Sequence, residues 1–266
     1  MTMSEKIRLD GKRALVCGAS QGIGRAAAGV LAGQGASVTL LARSEEKLAK
    51  ALAELPANAG QQHAIVVADL GDTAHLAGEI SERLLSGPAH HILVNNSGGP
   101  PPGLASEADT PAFGTAFAQH VLASQIITRA VVPGMRAAGY GRIINIISTS
   151  VKEPIPGLGV SNTIRGAMAS WAKTLSMELG SAGITVNNVL PGYTNTSRLP
   201  PIFAARARHS GKPLATVEEE ARKTVPVGRF ADPEETGYAI AFLASPAAAY
   251  ISGINLPVDG GRTRSL

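Results

Sequence analysis

Cysteine is nearly absent. Cys17 is the single one in 266 residues, so the chain can close no intrachain disulfide and build no cysteine-based metal cluster. A reducing, cytoplasmic setting is expected, and no metal. Aromatic residues are also sparse, with one Trp, four Tyr and five Phe, which leaves few platforms on which nucleic-acid bases could stack. The net charge of +4 is small, so a nucleic-acid partner is not expected. No apolar run approaches the roughly 18 residues of a membrane span. Residues 1–12 alternate charges and lack the apolar stretch of a signal peptide. Glycine, in contrast, is abundant: 30 residues, about 11% against a usual value of about 7%.

Short β-branched runs alternate with longer Ala/Leu-rich amphipathic stretches along the whole chain. The runs at 14–17, 37–41, 64–67, 92–94, 142–147, 184–186 and 253–256 read as strands. Residues 22–34, 73–85, 111–138, 161–180 and 233–244 read as helices. Apolar strands separated by helices imply one α/β domain over 1–266: a doubly wound sheet of seven mainly parallel strands with helices on both faces. The Pro/Gly-rich stretch 98–103 follows a strand end and reads as a loop beside a binding crevice. Residues 195–226 break the rhythm, being long, mostly helical and without a strand. A lid over a substrate is expected there.

After the first strand comes Gly18-Ala19-Ser20-Gln21-Gly22-Ile23-Gly24, leading straight into a helix. Glycines allow the tight turn and let backbone N–H groups approach a pyrophosphate, whose charge sits at the helix N-terminus. Gly18, Ser20, Gln21, Gly22, Ile23 and Gly24 are therefore expected to bind a dinucleotide. At the second strand end, where an acidic residue would bind the ribose 2′-hydroxyl of NAD, the chain has Ala42-Arg43-Ser44. A guanidinium without a carboxylate suits a 2′-phosphate. NADP(H) is thus expected over NAD(H), with Arg43 and Ser44 in contact with it.

These residues, with Asp69-Leu70, Asn95-Asn96-Ser97-Gly98, Gly141-Arg142-Ile143-Ile144-Asn145, Pro191-Gly192 and the tail from Ile251 to Gly261, resemble the short-chain dehydrogenase/reductase family. The 3-oxoacyl-(acyl-carrier-protein) reductases are the nearest flavour. Gly98-Gly99-Pro100-Pro101 and Val151-Lys152-Glu153-Pro154 point to a divergent subgroup. The resemblance implies a Rossmann-type fold, a homotetramer, and further cofactor contacts from Asp69, Leu70, Asn95, Ser97, Gly98, Arg165, Pro191, Gly192, Thr194 and Thr196.

The family's chemistry rests on Asn, Ser, Tyr and Lys. Carried onto this chain, the serine is Ser148. Thirteen residues on, where Tyr-x-x-x-Lys should open a helix, stands Ser161-Asn162-Thr163-Ile164-Arg165, and the Asn position holds His120. Ser161 is a far weaker acid than a phenol, and Arg165 holds its proton too tightly to relay it. His120, with a reference pKa of about 6.5, is either an acid–base group or a helix histidine packed beside the crevice. Lys152 either reaches the site or is solvated, and Tyr193 either donates a proton or lines the pocket. The basic run Arg198, Arg206, Arg208, His209 and Lys212 either meets phosphates of a thioester carrier or is a solvated helix face. Two functions follow. One is an NADP(H)-dependent reductase of a carbonyl, enone, quinone or imine-type small molecule with an atypical site. The other is a catalytically impaired NADP(H)-binding sensor or oligomer partner.

Overall fold

The first strand shows why the apolar runs become sheet. In β1 (Arg13–Cys17) every residue after Arg13 is buried. Ala14 and Val16 face one core while Leu15 and Cys17 face the other, so a strand covered on both sides has no polar face to show. The structure, a computed structural model, describes residues 2–58, 60–84 and 87–265. The last position of the expected helix 73–85 and both end residues of the 1–266 span lie outside them.

The remaining strands are β2 (Ser37–Ala42), β3 (Ala64–Val67), β4 (Ile92–Asn95), β5 (Gly141–Ile146), β6 (Ile184–Pro191) and β7 (Asn255–Val258). They form one sheet in the order β3-β2-β1-β4-β5-β6-β7, with every neighbouring pair parallel. Preceded by the short α1 (Met3–Ile7), helices α2 (Gly22–Gly33), α3 (Glu45–Ala53) and α10 (Pro233–Ala244) cover one face. Helices α4 (Thr73–Leu84), α6 (Ala123–Ala137) and α7 (Gly159–Leu179) cover the other. The strand order reverses between β1 and β4, and a crevice opens at the C-terminal ends of those two strands.

Three elements differ from the sequence expectation. The helix expected over 111–138 is α5 (Thr110–Phe117), then a π-helical turn at Ala118–Leu122, then α6. Such a turn rotates the side chains that follow it, a feature to which hydrophobic periodicity is blind. Strand β6 continues to Pro191 rather than stopping at 186. Its polar Asn187 and Asn188 look like a strand end in sequence, yet both are buried and bonded. Strand β7 begins two residues late because Gly253 sits at φ +76°. Its Pro257, which cannot donate to a ladder, is tolerated on an edge strand. Residues 195–226 contain α8 (Leu199–Ser210) and α9 (Leu214–Lys223), joined by a small core of Leu199, Phe203, Val217 and Ala221.

One polar chain crosses the sheet interior. Asn95 Nδ2 donates to Asn145 Oδ1 (2.9 Å), Asn145 Nδ2 to Asn188 Oδ1 (2.9 Å), and Asn188 Nδ2 to Asn255 Oδ1 (2.8 Å). Replacing Asn145 by Ala removes a donor and an acceptor at once and leaves buried amides on both sides unpaired. A loss of about 2–4 kcal/mol is expected, read as a shift of the urea unfolding midpoint at unchanged slope.

Candidate active site

The chain leaves β1 through Gly18, at φ +59°, and enters α2 at Gly22, at φ +57°. A Cβ on Gly24 would lie 2.3 Å from the Gly18 carbonyl oxygen, and one on Gly18 would lie 2.6 Å from Asn96 Nδ2. Glycine is therefore required where helix, turn and the β4 end converge. Asn96 Nδ2 holds the turn by donating to the carbonyls of Cys17 and Gly18, each at 3.3 Å. The N-cap residue Gln21 makes no side-chain capping bond, so the first N–H groups of α2 are left for an anion.

Two cavities meet over this turn, of about 330 Å³ and about 230 Å³. They share Ile23, Asn96, Ser97, Gly98, Thr196 and Arg198. The larger is lined by Gly18, Ser20, Gln21, Gly22, Arg43, Ser44, Lys47, Asp69 and Leu70. Arg43 stands 3.7 Å from the Asp69 carboxylate but both remain largely exposed. A glycine cradle, an open helix N-terminus and the Arg43 and Lys47 cations beyond the β2 end fit a dinucleotide. Among the described residues no group of three or more His, Cys, Asp or Glu gathers to hold a metal.

The smaller cavity holds Ser148, Ser161, Arg165, Pro191, Gly192, Tyr193 and Thr194. Ser161 and Arg165 are four apart on α7 and so share a face. Arg165 is buried and donates from Nη1 to the Ile146 carbonyl at 3.0 Å. Burial, reinforced by nearby Arg198, lowers its pKa to about 10, so it remains a cation at neutral pH. Ser148 Oγ accepts from the Ser150 N–H (3.1 Å). Tyr193 packs its ring against Phe203 and Phe230 at 5.6 and 5.5 Å, and its hydroxyl accepts from Arg206 at 2.6 Å.

Four of the expected site residues line neither cavity, the first being Gly24, which is packed against the Gly18 carbonyl. Asn95 is turned into the asparagine chain of the sheet, and its neighbour Asn96 takes the place at the crevice. Lys152 is not among the residues lining either cavity. His120 is buried behind the site, beside a void of about 10 Å³ that also touches Ser97, Gln119 and Arg165. Its Nδ1 is 2.6 Å from Ser97 Oγ while Nε2 has no partner. Burial, then the charges of Arg165 and Arg198, push its pKa down to about 3. The imidazole is neutral at physiological pH. Cys17, also buried below the loop, has its thiol pushed up to about 12 by burial and is inert as a nucleophile.

A family model described as Enoyl-(Acyl carrier protein) reductase matches residues 18–263. The chain belongs to the short-chain dehydrogenase/reductase family. It is similar to 3-oxoacyl-(acyl-carrier-protein) reductase FabG of Vibrio harveyi, 34% identical over 257 residues, covering 96% of this chain and 98% of that protein. It is similar also to Oxidoreductase UcpA of Escherichia coli K12, 35% identical over 259 residues, covering 96% of each. Among solved structures, L-sorbose reductase of Gluconobacter frateurii, complexed with NADPH and L-sorbose, superposes with a TM-score of 0.89 at 29% identity. That match covers 98% of this chain and 100% of that one.

In this short-chain dehydrogenase/reductase the lining residues that the motifs did not supply include Lys47, Gln119 and Arg262. Lys47 had a signal, lying four residues past Arg43 at the start of α3; Arg262 had none. Arg198 donates to the carbonyls of Gly99 (3.0 Å) and Pro100 (3.2 Å), tying the loop 98–103 to the start of α8. The basic run divides. Arg198 and Arg206 face the cavity, whereas Arg208 and His209 are exposed and Lys212 pairs with Glu220 at 2.6 Å.

Neutral burial of His120 has a pH signature. The unfolded chain takes up a proton as pH falls below about 6.5, and the folded chain does not until about 3. Stability is intact above that window and drops within it, by roughly 2–3 kcal/mol from this residue between about pH 6.5 and 4.5. His120→Asn is expected to flatten the profile by that amount in urea unfolding measured across this range.

Proposed function

We propose that this chain is an NADP(H)-dependent reductase of small conjugated molecules, such as enones and quinones, with an atypical active site. The observation that carries the reading is the Ser161–Arg165 pair lining the cavity next to Ser148. Reduced nicotinamide supplies hydride when bound. Gly18 to Gly24 and the open start of α2 hold its pyrophosphate, Arg43, Ser44 and Lys47 a 2′-phosphate, and Arg165 its ribose hydroxyls. The NADPH complex of the L-sorbose reductase supports this choice of cofactor.

Ser148 and Ser161 orient the substrate oxygen by hydrogen bonding. Neither is a strong acid, Arg165 keeps its proton, and His120 is neutral and behind the wall. Hydride addition to a simple ketone makes a localised alkoxide that needs a proton in the transition state. Addition to an enone or quinone leaves a delocalised oxyanion, stabilised here by the Arg165 charge and protonated afterwards by solvent. A missing general acid typically costs about 10²–10⁴-fold, so the site favours substrates that need none. Tyr193 serves as a wall, and residues 195–226 as a lid. Exposed Met177 on α7, Tyr238 and Phe242 on α10 and Tyr250 beyond it suit the homotetramer that the resemblance implies, in a cytoplasmic setting.

Two measurements test this. NADPH consumption with an enone or a quinone is expected to exceed that with a simple ketone or a 3-oxoacyl thioester by about 10²–10⁴-fold in kcat/KM. Faster turnover of the ketone overturns the substrate class. NADPH binding without turnover of any of the four instead favours the sensor or oligomer partner. Separately, Arg43→Ala is expected to weaken NADPH by about 10- to 100-fold, the worth of a charge-assisted hydrogen bond, and to change NADH little. Fluorescence titration of the bound nicotinamide reads both.

A further inference from the structure

The charges facing the smaller cavity are all of one sign. Arg165, Arg198, Arg206 and Arg262 line it, and no Asp or Glu does among the described residues. None of the four makes an ion pair with a described residue. On the nearby surface the opposite holds: Lys212 pairs with Glu220, Arg222 with Glu219 and Arg229 with Glu235. These three outward cations are each matched by a carboxylate, whereas the four that line the cavity are not.

Two of the four are already committed. Arg165 gives Nη1 to the Ile146 carbonyl and has its proposed role at the cofactor ribose and substrate oxygen, and Arg198 is bonded to the carbonyls of Gly99 and Pro100. Arg206 and Arg262 are different. Arg206 reaches the Tyr193 hydroxyl at 2.6 Å, and the Arg262 guanidinium carbon lies 4.8 Å from the centre of the Tyr193 ring. Arg262 Nε is buried with no partner. Both line the smaller cavity and neither lines the larger one, where the 2′-phosphate cations stand. Cofactor phosphates therefore do not account for them. The same cavity has an apolar lining from Ile155, Leu158, Leu199 and Ile202, the last two on the helix that carries Arg206.

We propose that Arg206 and Arg262, flanking Tyr193, bind a carboxylate of the substrate, so that the reductase acts on an unsaturated organic acid with an apolar body. Guanidinium forks match carboxylates bidentately, and a half-buried, water-poor site strengthens that contact. The proposal rests on the reductase reading only for its catalytic arm.

The pair of probes is 3-benzoylacrylate, an enone acid, and its methyl ester. With NADPH, the acid is expected to have at least a tenfold higher kcat/KM than the ester. That preference should collapse at least tenfold in Arg206→Gln and Arg262→Gln, with NADPH dissociation constants within twofold of the wild type. Arg208→Gln, on the exposed side of the same helix, should keep the preference. Equal use of acid and ester by the wild type overturns the proposal, as does an equal loss of NADPH affinity in the two variants. Calorimetry on the NADP⁺ complex separates the two readings. Tight binding of the acid over the ester without turnover sustains the carboxylate site and sinks the reductase, whereas equal binding of acid and ester sinks the site.

Discussion

The contact between Gly24 and the Gly18 carbonyl is the constraint on which the site depends. No side chain fits between them, so α2 starts closer to β1 than any other residue would permit. Asn96, clamped to the same turn, draws in the end of β4. Because β1 and β4 flank the reversal of strand order, this one close approach sets the floor shared by both cavities. Loop 98–103 and the start of α8 are then tied across that floor by Arg198. Loosening the turn would move every wall of the crevice at once.

Electrostatics gives the site its second character. A cation as deeply buried as Arg165 with no carboxylate beside it is costly in isolation, and its neighbour Arg198 adds to that cost. Arginine tolerates this better than lysine would, since its delocalised charge is weakly hydrated and its fork can satisfy a backbone carbonyl at the same time. The same field explains His120. A histidine between two guanidiniums and the core can stay only as a neutral ring, and its hydrogen bond to Ser97 then fixes the wall rather than moving protons.

Much of the fold could be read from the sequence because strands covered on both faces announce themselves as unbroken apolar runs, as in β1 and β4. The glycine turn was legible for a similar reason: its constraint is local, and only one residue type satisfies it. Legibility failed where the decisive partner is remote. Asn187 and Asn188 look like the end of a strand until the segment before β7 and the neighbouring strands supply their bonds. The π-turn that carries His120 leaves no periodic trace. Asn95 and Asn96 are indistinguishable in sequence, and the pleat alone decides that one enters the sheet and the other the crevice. Arg262 comes to the cavity from the far end of the chain, beyond any spacing rule.

The asparagine chain has a bearing on how the sheet assembles. Asn95, Asn145, Asn188 and Asn255 are direct partners in adjacent strands, and their amides all donate in the same direction. A slip of one residue between any two of these strands would carry an amide to the opposite face and bury it against hydrocarbon. Apolar runs such as Ile143-Ile144 slide past one another with little penalty, since each side of the sheet accepts Ile or Val equally well. Four amides in line thus act as an alignment mark for a sheet whose hydrophobic pattern is the same on both faces.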